Sequence, residues 1–228
     1  VWLDGLYMGL PFQIEYGLKT GQPALVEDAI KQFLSALELT AFDRLYAHGY
    51  DHARRQPWAD PKTGRSPAVW ARAVGWLSMA LVDAFELTRD VRLAAPTAAL
   101  LRDIVAEQHD NGLWPQVLDA PDLDGNYEES SASAMFTYAL LAATRLGLGD
   151  YASAGRRGLA ALVRDRLKTG DYERVHFTTI CHVAGLGSYG GGPYRSGTRE
   201  YYLEEKVVND DAKGVGPLMM AAAEAFCG

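Results

Sequence analysis

Apolar side chains recur at helical spacing along this chain, and they do so in pairs of segments. Residues 5–18 are rich in small and aromatic side chains (Leu6, Tyr7, Met8, Phe12, Tyr16) and predict a helix that Thr20-Gly21-Gln22-Pro23 breaks. Val26, Ile30, Phe33, Leu34 and Leu37 then mark one face of a second, more polar helix. The alternation returns twice. Residues 67–87 carry a stripe of Val69, Ala73, Leu77, Ala80, Leu81 and Ala84, and 93–108 predict its amphipathic partner. Residues 130–146 predict a third apolar helix, with Gly147 placed to close it, and 151–167 its partner. A last small-residue helix is expected over 210–227. Between the pairs, 44–51 and 114–119 read as extended, 56–64 as a polar loop and 170–208 as loop-rich.

Units starting near residues 4, 67 and 130 therefore repeat one plan: a helix apolar nearly all round, then an amphipathic one. The first kind suits an inner layer and the second an outer layer. Stacked α-hairpins of this type form solenoids or close into an α/α barrel. The expected class is all-α, an α/α toroid of the six-hairpin kind. The first and last helices have no partner beyond them. The 228 residues thus read as a single domain, the C-terminal part of a barrel lacking its N-terminal helices. Val1 falls inside an element, with no initiator Met or signal peptide before it, so the sequence leaves cytoplasm and periplasm both open.

Charge and cysteine content narrow the field. A net charge of −7 with no basic stripe argues against nucleic acid as a partner. No apolar run is long enough to cross a bilayer. Cys181 and Cys227 do not make a disulfide framework. Nothing in the sequence indicates an oligomeric state.

Candidate chemistry gathers at the starts of the apolar helices. Ser66-Pro67 reads as a helix start, with a hydroxyl to cap free N–H groups and a proline suited to the first turn. Arg72 and Trp76 lie four apart and share a face, beside Trp70. A cation among large aromatics can hold a ring bearing a carboxylate; a capped core helix with one snorkelling Arg fits the same residues. In Trp2-Leu3-Asp4-Gly5 a carboxylic acid stands beside an indole at a helix start. The helix terminus favours its ionised form and an apolar wall its neutral form. A general acid needs the second effect to win; otherwise Asp4 is an N-cap and Trp2 a hydrophobic staple.

Other motifs are weaker. His48-Gly49-Tyr50-Asp51-His52 invites a metal reading, but in extended sequence the two histidines share no helix face and a third ligand is missing. His48 reads better as a polar pocket residue, and no metal or cofactor is expected. Gly190-Gly191-Gly192 lacks the residues of a phosphate loop and suggests close packing of backbone against a neighbour or a sugar. Ser130 and Ser131 stand in no nucleophile elbow.

Taken in order, these blocks resemble the unsaturated rhamnogalacturonyl hydrolases, glycoside hydrolase family 105. The matching stretches are Val1-Trp2-Leu3-Asp4-Gly5-Leu6-Tyr7-Met8, His48-Gly49-Tyr50-Asp51 and Trp70-Ala71-Arg72-Ala73-Val74-Gly75-Trp76. Gly112-Leu113-Trp114-Pro115-Gln116-Val117-Leu118-Asp119, Asn126-Tyr127-Glu128-Glu129-Ser130-Ser131-Ala132-Ser133 and Gly190-Gly191-Gly192-Pro193-Tyr194-Arg195-Ser196-Gly197-Thr198 continue the series. The resemblance implies an α/α barrel that removes a 4,5-unsaturated galacturonyl residue from the non-reducing end of small pectin oligosaccharides. It implies Asp4 as the acid/base, and Trp2, His48, Trp70, Arg72 and Trp76 around the unsaturated sugar. Trp walls would then keep Asp4 protonated, and Arg72 would hold the sugar's carboxylate. Two other readings remain: an unsaturated glucuronyl hydrolase acting on glycosaminoglycan fragments, and a non-catalytic sugar-binding α/α protein.

Overall fold

Residues 1–188 and 190–227 are described by the computed structural model, apart from the side chain of Cys227, which lies outside it. The long helices are α1 (Leu3–Lys19), α2 (Pro23–Thr40), α3 (Ala71–Thr88), α4 (Val91–Ala106), α5 (Ser130–Arg145) and α6 (Ala152–Ala161), followed by the short α7 (Arg199–Glu204) and by α8 (Ala212–Cys227). Packing runs α1 to α3 to α5 to α8, and α2, α4 and α6 lie against α1, α3 and α5. This is the two-layer plan of an α/α barrel. The inner position explains the composition of α3 and α5. With neighbours on both sides and an outer helix behind, α5 buries every residue from Ser130 to Ala143. Only small and apolar side chains tolerate that. At Gly75, an added Cβ would lie 2.7 Å from Met135 Sδ, so α3 and α5 approach too closely there for a side chain.

The end helices α1 and α8 differ. Met8, Phe12 and Tyr16 on α1, and Met219 and Phe226 on α8, are exposed. Among the described residues no helix is long and apolar enough to cross a membrane. Cys181 is free and buried.

Three local expectations change. The helix expected from residue 67 begins at Ala71, and Ser66-Pro67 does not cap it. Ser66 Oγ instead accepts the Gly49 N–H at 3.1 Å, and residues 69–70 run extended beside 117–118, where Leu118 N donates to the Val69 carbonyl at 3.0 Å. A backbone bridge thus overrides a local helix-start signal. The helix expected over 151–167 stops at Ala161 and continues as a π-helical turn, Leu162–Arg166. Strand β1 (Leu167–Thr169) then claims the backbone by pairing antiparallel with β2 (Val175–Phe177). Gly190 and Gly191 do not pack closely against a neighbour: among the described residues an added Cβ would meet no atom within 4 Å. Their φ values of 58° and 75° are the reason for glycine.

One half-buried carboxyl on α3 carries a prediction. Asp83 on α3 accepts a 2.7 Å hydrogen bond from Tyr138 Oη and, among the described residues, makes no ion pair. Burial raises its pKa from 3.8 to about 6, although the Tyr138 bond works against the rise. A raised folded pKa means that the native chain holds this proton more tightly than the unfolded chain. Asp83 therefore lowers stability as pH rises from about 4 through 6. Asp83→Asn, which keeps an acceptor for Tyr138, is expected to stabilise the chain by about 2–3 kcal/mol at pH 7 and by almost nothing at pH 4. Urea unfolding at the two pH values measures this; an equal effect at both would show that the carboxylate charge is not the cause.

Candidate active site

The entry of α1 is held by a short antiparallel contact. Val1 N donates to the Tyr50 carbonyl at 2.8 Å, Tyr50 N to Val1 O at 2.9 Å and Leu3 N to His48 O at 3.0 Å. Trp2 thereby stands opposite Gly49. A side chain at Gly49 would come within 2.6 Å of Leu186 Cδ1 and 3.1 Å of Trp2 Cδ1, so this approach depends on glycine. The pairing places His48, fully buried, beside the second helical residue, Asp4. His48 Nε2 lies 3.0 Å from Asp4 Oδ2, and His48 Nδ1 lies 2.7 Å from the Tyr202 hydroxyl.

Aromatic rings close around the pair. The Trp2 and Trp70 rings lie 5.4 and 4.9 Å from His48, centre to centre. Trp70 stacks on Tyr202 at 5.4 Å, with planes within 7°. Gln116 fastens that stack: its Oε1 accepts Trp70 Nε1–H and its Nε2 donates to the Tyr202 carbonyl, both at 3.1 Å. Asp4 is not an N-cap. Trp2 holds that position, and no side chain caps α1.

The expected protonation state of Asp4 is reversed. Burial by itself raises the carboxyl's pKa, as an apolar wall should. His48 opposes it, by its charge where the ring is protonated and by its hydrogen bond, helped by the Asp4 backbone and more weakly by Arg72. The net result is a carboxyl below its ordinary 3.8, ionised at neutral pH in the free chain.

Arg72 is buried, not snorkelling. Its Nη1 donates to the Cys181 carbonyl and to Ser131 Oγ (3.2 Å), and its Nη2 to the His182 carbonyl (3.3 Å). Glu129 lies 3.9 Å away, and the guanidinium covers the Trp70 ring at 4.7 Å. Its Nε is buried and, among the described residues, is the one guanidinium nitrogen without a partner. Trp76, a turn further along α3, pairs with Tyr7 at 4.8 Å. The structure thus gathers Trp2, Asp4, His48 and Trp70, joins Arg72 to them through Trp70, and sets Trp76 against α1. His52 is exposed while His48 is buried, so the two do not face a common ion. Among the described residues no cluster of three or more His, Cys, Asp or Glu could hold a metal.

Sequence reasoning missed Tyr202, Gln116 and Glu129 as site residues. Tyr202 belongs to α7, six residues long and capped by Thr198, whose Oγ1 accepts the Tyr201 N–H. That Thr198 cap was the available signal. Arg195 was also overlooked. Its Nη1 and the Trp2 ring both come within 3.2 Å of the Cβ position of Gly185, and it makes no ion pair among the described residues.

The model of Glycosyl Hydrolase Family 88 matches residues 1–227. The chain belongs to this family. A protein of Agrobacterium fabrum is 58% identical over 230 residues, which cover 96% of this family 88 chain and 98% of the relative. A family 105 glycoside hydrolase of C. acetobutylicum superposes with a TM-score of 0.94 at 32% identity, over 100% of this chain and 65% of its own. An unsaturated rhamnogalacturonyl hydrolase of Bacillus subtilis is 28% identical over 184 residues, 76% of this chain and 48% of that enzyme. The family 88 chain therefore spans nearly all of one relative, about two thirds of the second and about half of the third.

Proposed function

We propose that this chain acts in hydrolysing the bond between a 4,5-unsaturated uronyl sugar and its aglycone, with rhamnogalacturonan fragments as substrates. The observation that carries this reading is a single carboxyl, Asp4, held by His48 beside the partly exposed Trp2 ring. Family membership and the named activity of the B. subtilis relative support it.

The chemistry needs one carboxyl. The C4=C5 bond of the unsaturated sugar is joined to the ring oxygen and is a vinyl ether. Its electron pair takes a proton from Asp4 at C4, and the ring oxygen stabilises the cation left at C5. Water adds at C5 and returns its proton to the Asp4 carboxylate. The resulting hemiketal opens and expels the aglycone. A paired carboxylate nucleophile is not required. The ground-state ionisation of Asp4 fits this sequence if the substrate itself raises the pKa. An incoming sugar carboxylate displaces water and adds a like charge, and both favour the protonated acid. One cation stands beside Trp2 for that carboxylate, Arg195, while the buried Arg72 adds its charge from behind Trp70. An overall negative chain without clustered basic residues favours an unsulfated aglycone.

Incubation with unsaturated galacturonyl-rhamnose is expected to bleach the ultraviolet absorbance of the conjugated double bond. An unsaturated glucuronyl-amino sugar should react at least about tenfold more slowly, the scale of about 1.4 kcal/mol. Faster reaction with the amino sugar would transfer the assignment to glycosaminoglycan fragments. Unchanged absorbance with both, alongside measurable binding, would favour a sugar-binding role.

A further inference from the structure

We propose that Tyr202 is a positioning residue that fixes the tautomer of His48, with the ring proton on Nε2, and so leaves Oδ1 of Asp4 as the oxygen that carries the catalytic proton. The tautomer stands on geometry alone; the consequence for Oδ1 rests on the role proposed above for Asp4.

The argument is one of elimination. Tyr202 is completely buried, and among the described residues its hydroxyl has one hydrogen-bond partner, His48 Nδ1 at 2.7 Å. A buried O–H without an acceptor loses its bonds to water with nothing in return. Nδ1 is the acceptor within reach, so the hydroxyl donates and Nδ1 carries no proton. A neutral imidazole has one donor and one acceptor nitrogen, which puts the proton on Nε2. Nε2 faces Asp4 Oδ2 at 3.0 Å and donates to it. The opposite tautomer would strand the Tyr202 hydrogen and require Asp4 to be the donor.

The hydroxyl remains a donor over the whole working pH range. Burial holds its pKa well above 10, and Tyr201, Asp4, Asp119 and Cys181, the titratable neighbours facing it, act in the same direction. Arg72 is the further charged group that Asp4 feels. The Trp70 stack and the Gln116 bond hold the Tyr202 ring itself. His48 cannot turn over without losing one bond or the other. With Oδ2 anchored, the carboxyl presents Oδ1 as the site for proton transfer.

Nitrogen-15 correlation spectra of histidine-labelled protein test the tautomer directly. The expected result is a protonated Nε2 and an unprotonated Nδ1 for His48 at neutral pH. Tyr202→Phe keeps the ring on Trp70 and removes the hydroxyl. It is expected to make the two tautomers exchange, to lower kcat on the order of 10–100-fold with KM changed less than about threefold, and to move the pH profile of kcat. A wild-type spectrum with the proton on Nδ1 would overturn the proposal without any variant being needed. So would a folded Tyr202→Phe protein with wild-type tautomer, kcat and pH profile. A wild-type chain with Nε2 protonated but no turnover would leave the tautomer standing and refute the consequence drawn for Oδ1.

Discussion

Asp4→Asn is expected to lower kcat for the unsaturated disaccharide by about 10²–10⁴-fold while leaving KM within a few fold. The variant is close to isosteric, and the amide oxygen can still accept the His48 Nε2–H bond, so the pairing of 1–3 with 48–50 should persist. What it loses is the proton that the reaction sends to C4. Retention of more than a tenth of wild-type turnover would remove Asp4 as the acid. The charge state gives the experiment a second reading. Because His48 holds Asp4 ionised in the free chain, productive binding must take up a proton. Calorimetric titration in two buffers of different ionisation enthalpy should show that uptake in the wild type and not in Asp4→Asn. The sign for kcat/KM follows: it falls as pH rises, because the protonated form becomes scarcer. Stability runs the other way. A carboxyl depressed in the folded state contributes stability that is present above the unfolded pKa and lost as pH falls through the folded one.

The residues that hold Asp4 were only partly legible in the sequence. Helix pairs were readable because an inner helix and an outer helix bury different fractions of their circumference, and that difference is written in the spacing of apolar residues. The Trp2-Leu3-Asp4 and Trp70-Ala71-Arg72 blocks were visible for a similar reason: large aromatics beside ionisable groups are uncommon at helix starts. The environment of those groups was not visible. Trp2 promised an apolar wall and a neutral acid, yet the charge on Asp4 is decided by His48, 44 residues away. Arg72 read as a free cation, yet its terminal nitrogens are held by carbonyls 109 and 110 residues along the chain. Tyr202 lies 154 residues from its partner His48. Local periodicity carries no information about such pairings. At Ser66-Pro67 a correct local signal lost to a backbone bridge with residues 117–118.

Glu129 is where the largest loss of stability is expected. It is completely buried and caps α5 by accepting the Ala132 N–H at 2.6 Å. It also accepts the Ser131 hydroxyl at 2.7 Å and the Cys181 N–H at 2.9 Å, and it is the anion nearest the buried Arg72. One side chain thus joins the start of α5, the 181–182 segment and the cation that covers Trp70. Glu129→Met removes the acceptor for three donors and leaves the Arg72 charge without its counterion. Breaking a buried pair in this way costs about 3–5 kcal/mol. Arg72→Met should cost a similar amount, by removing the carboxylate's counterion together with the bonds to Ser131, Cys181 and His182. The double variant, Arg72→Met with Glu129→Met, has no buried charge and should lose much less than the two single losses combined. Urea denaturation of the four proteins measures the coupling. Strict additivity would mean that the 3.9 Å separation is too long for the charges to matter and that Glu129 acts through its hydrogen bonds alone. Strong coupling would make Arg72 first a structural cation, and would assign Arg195 the larger share of the sugar's carboxylate.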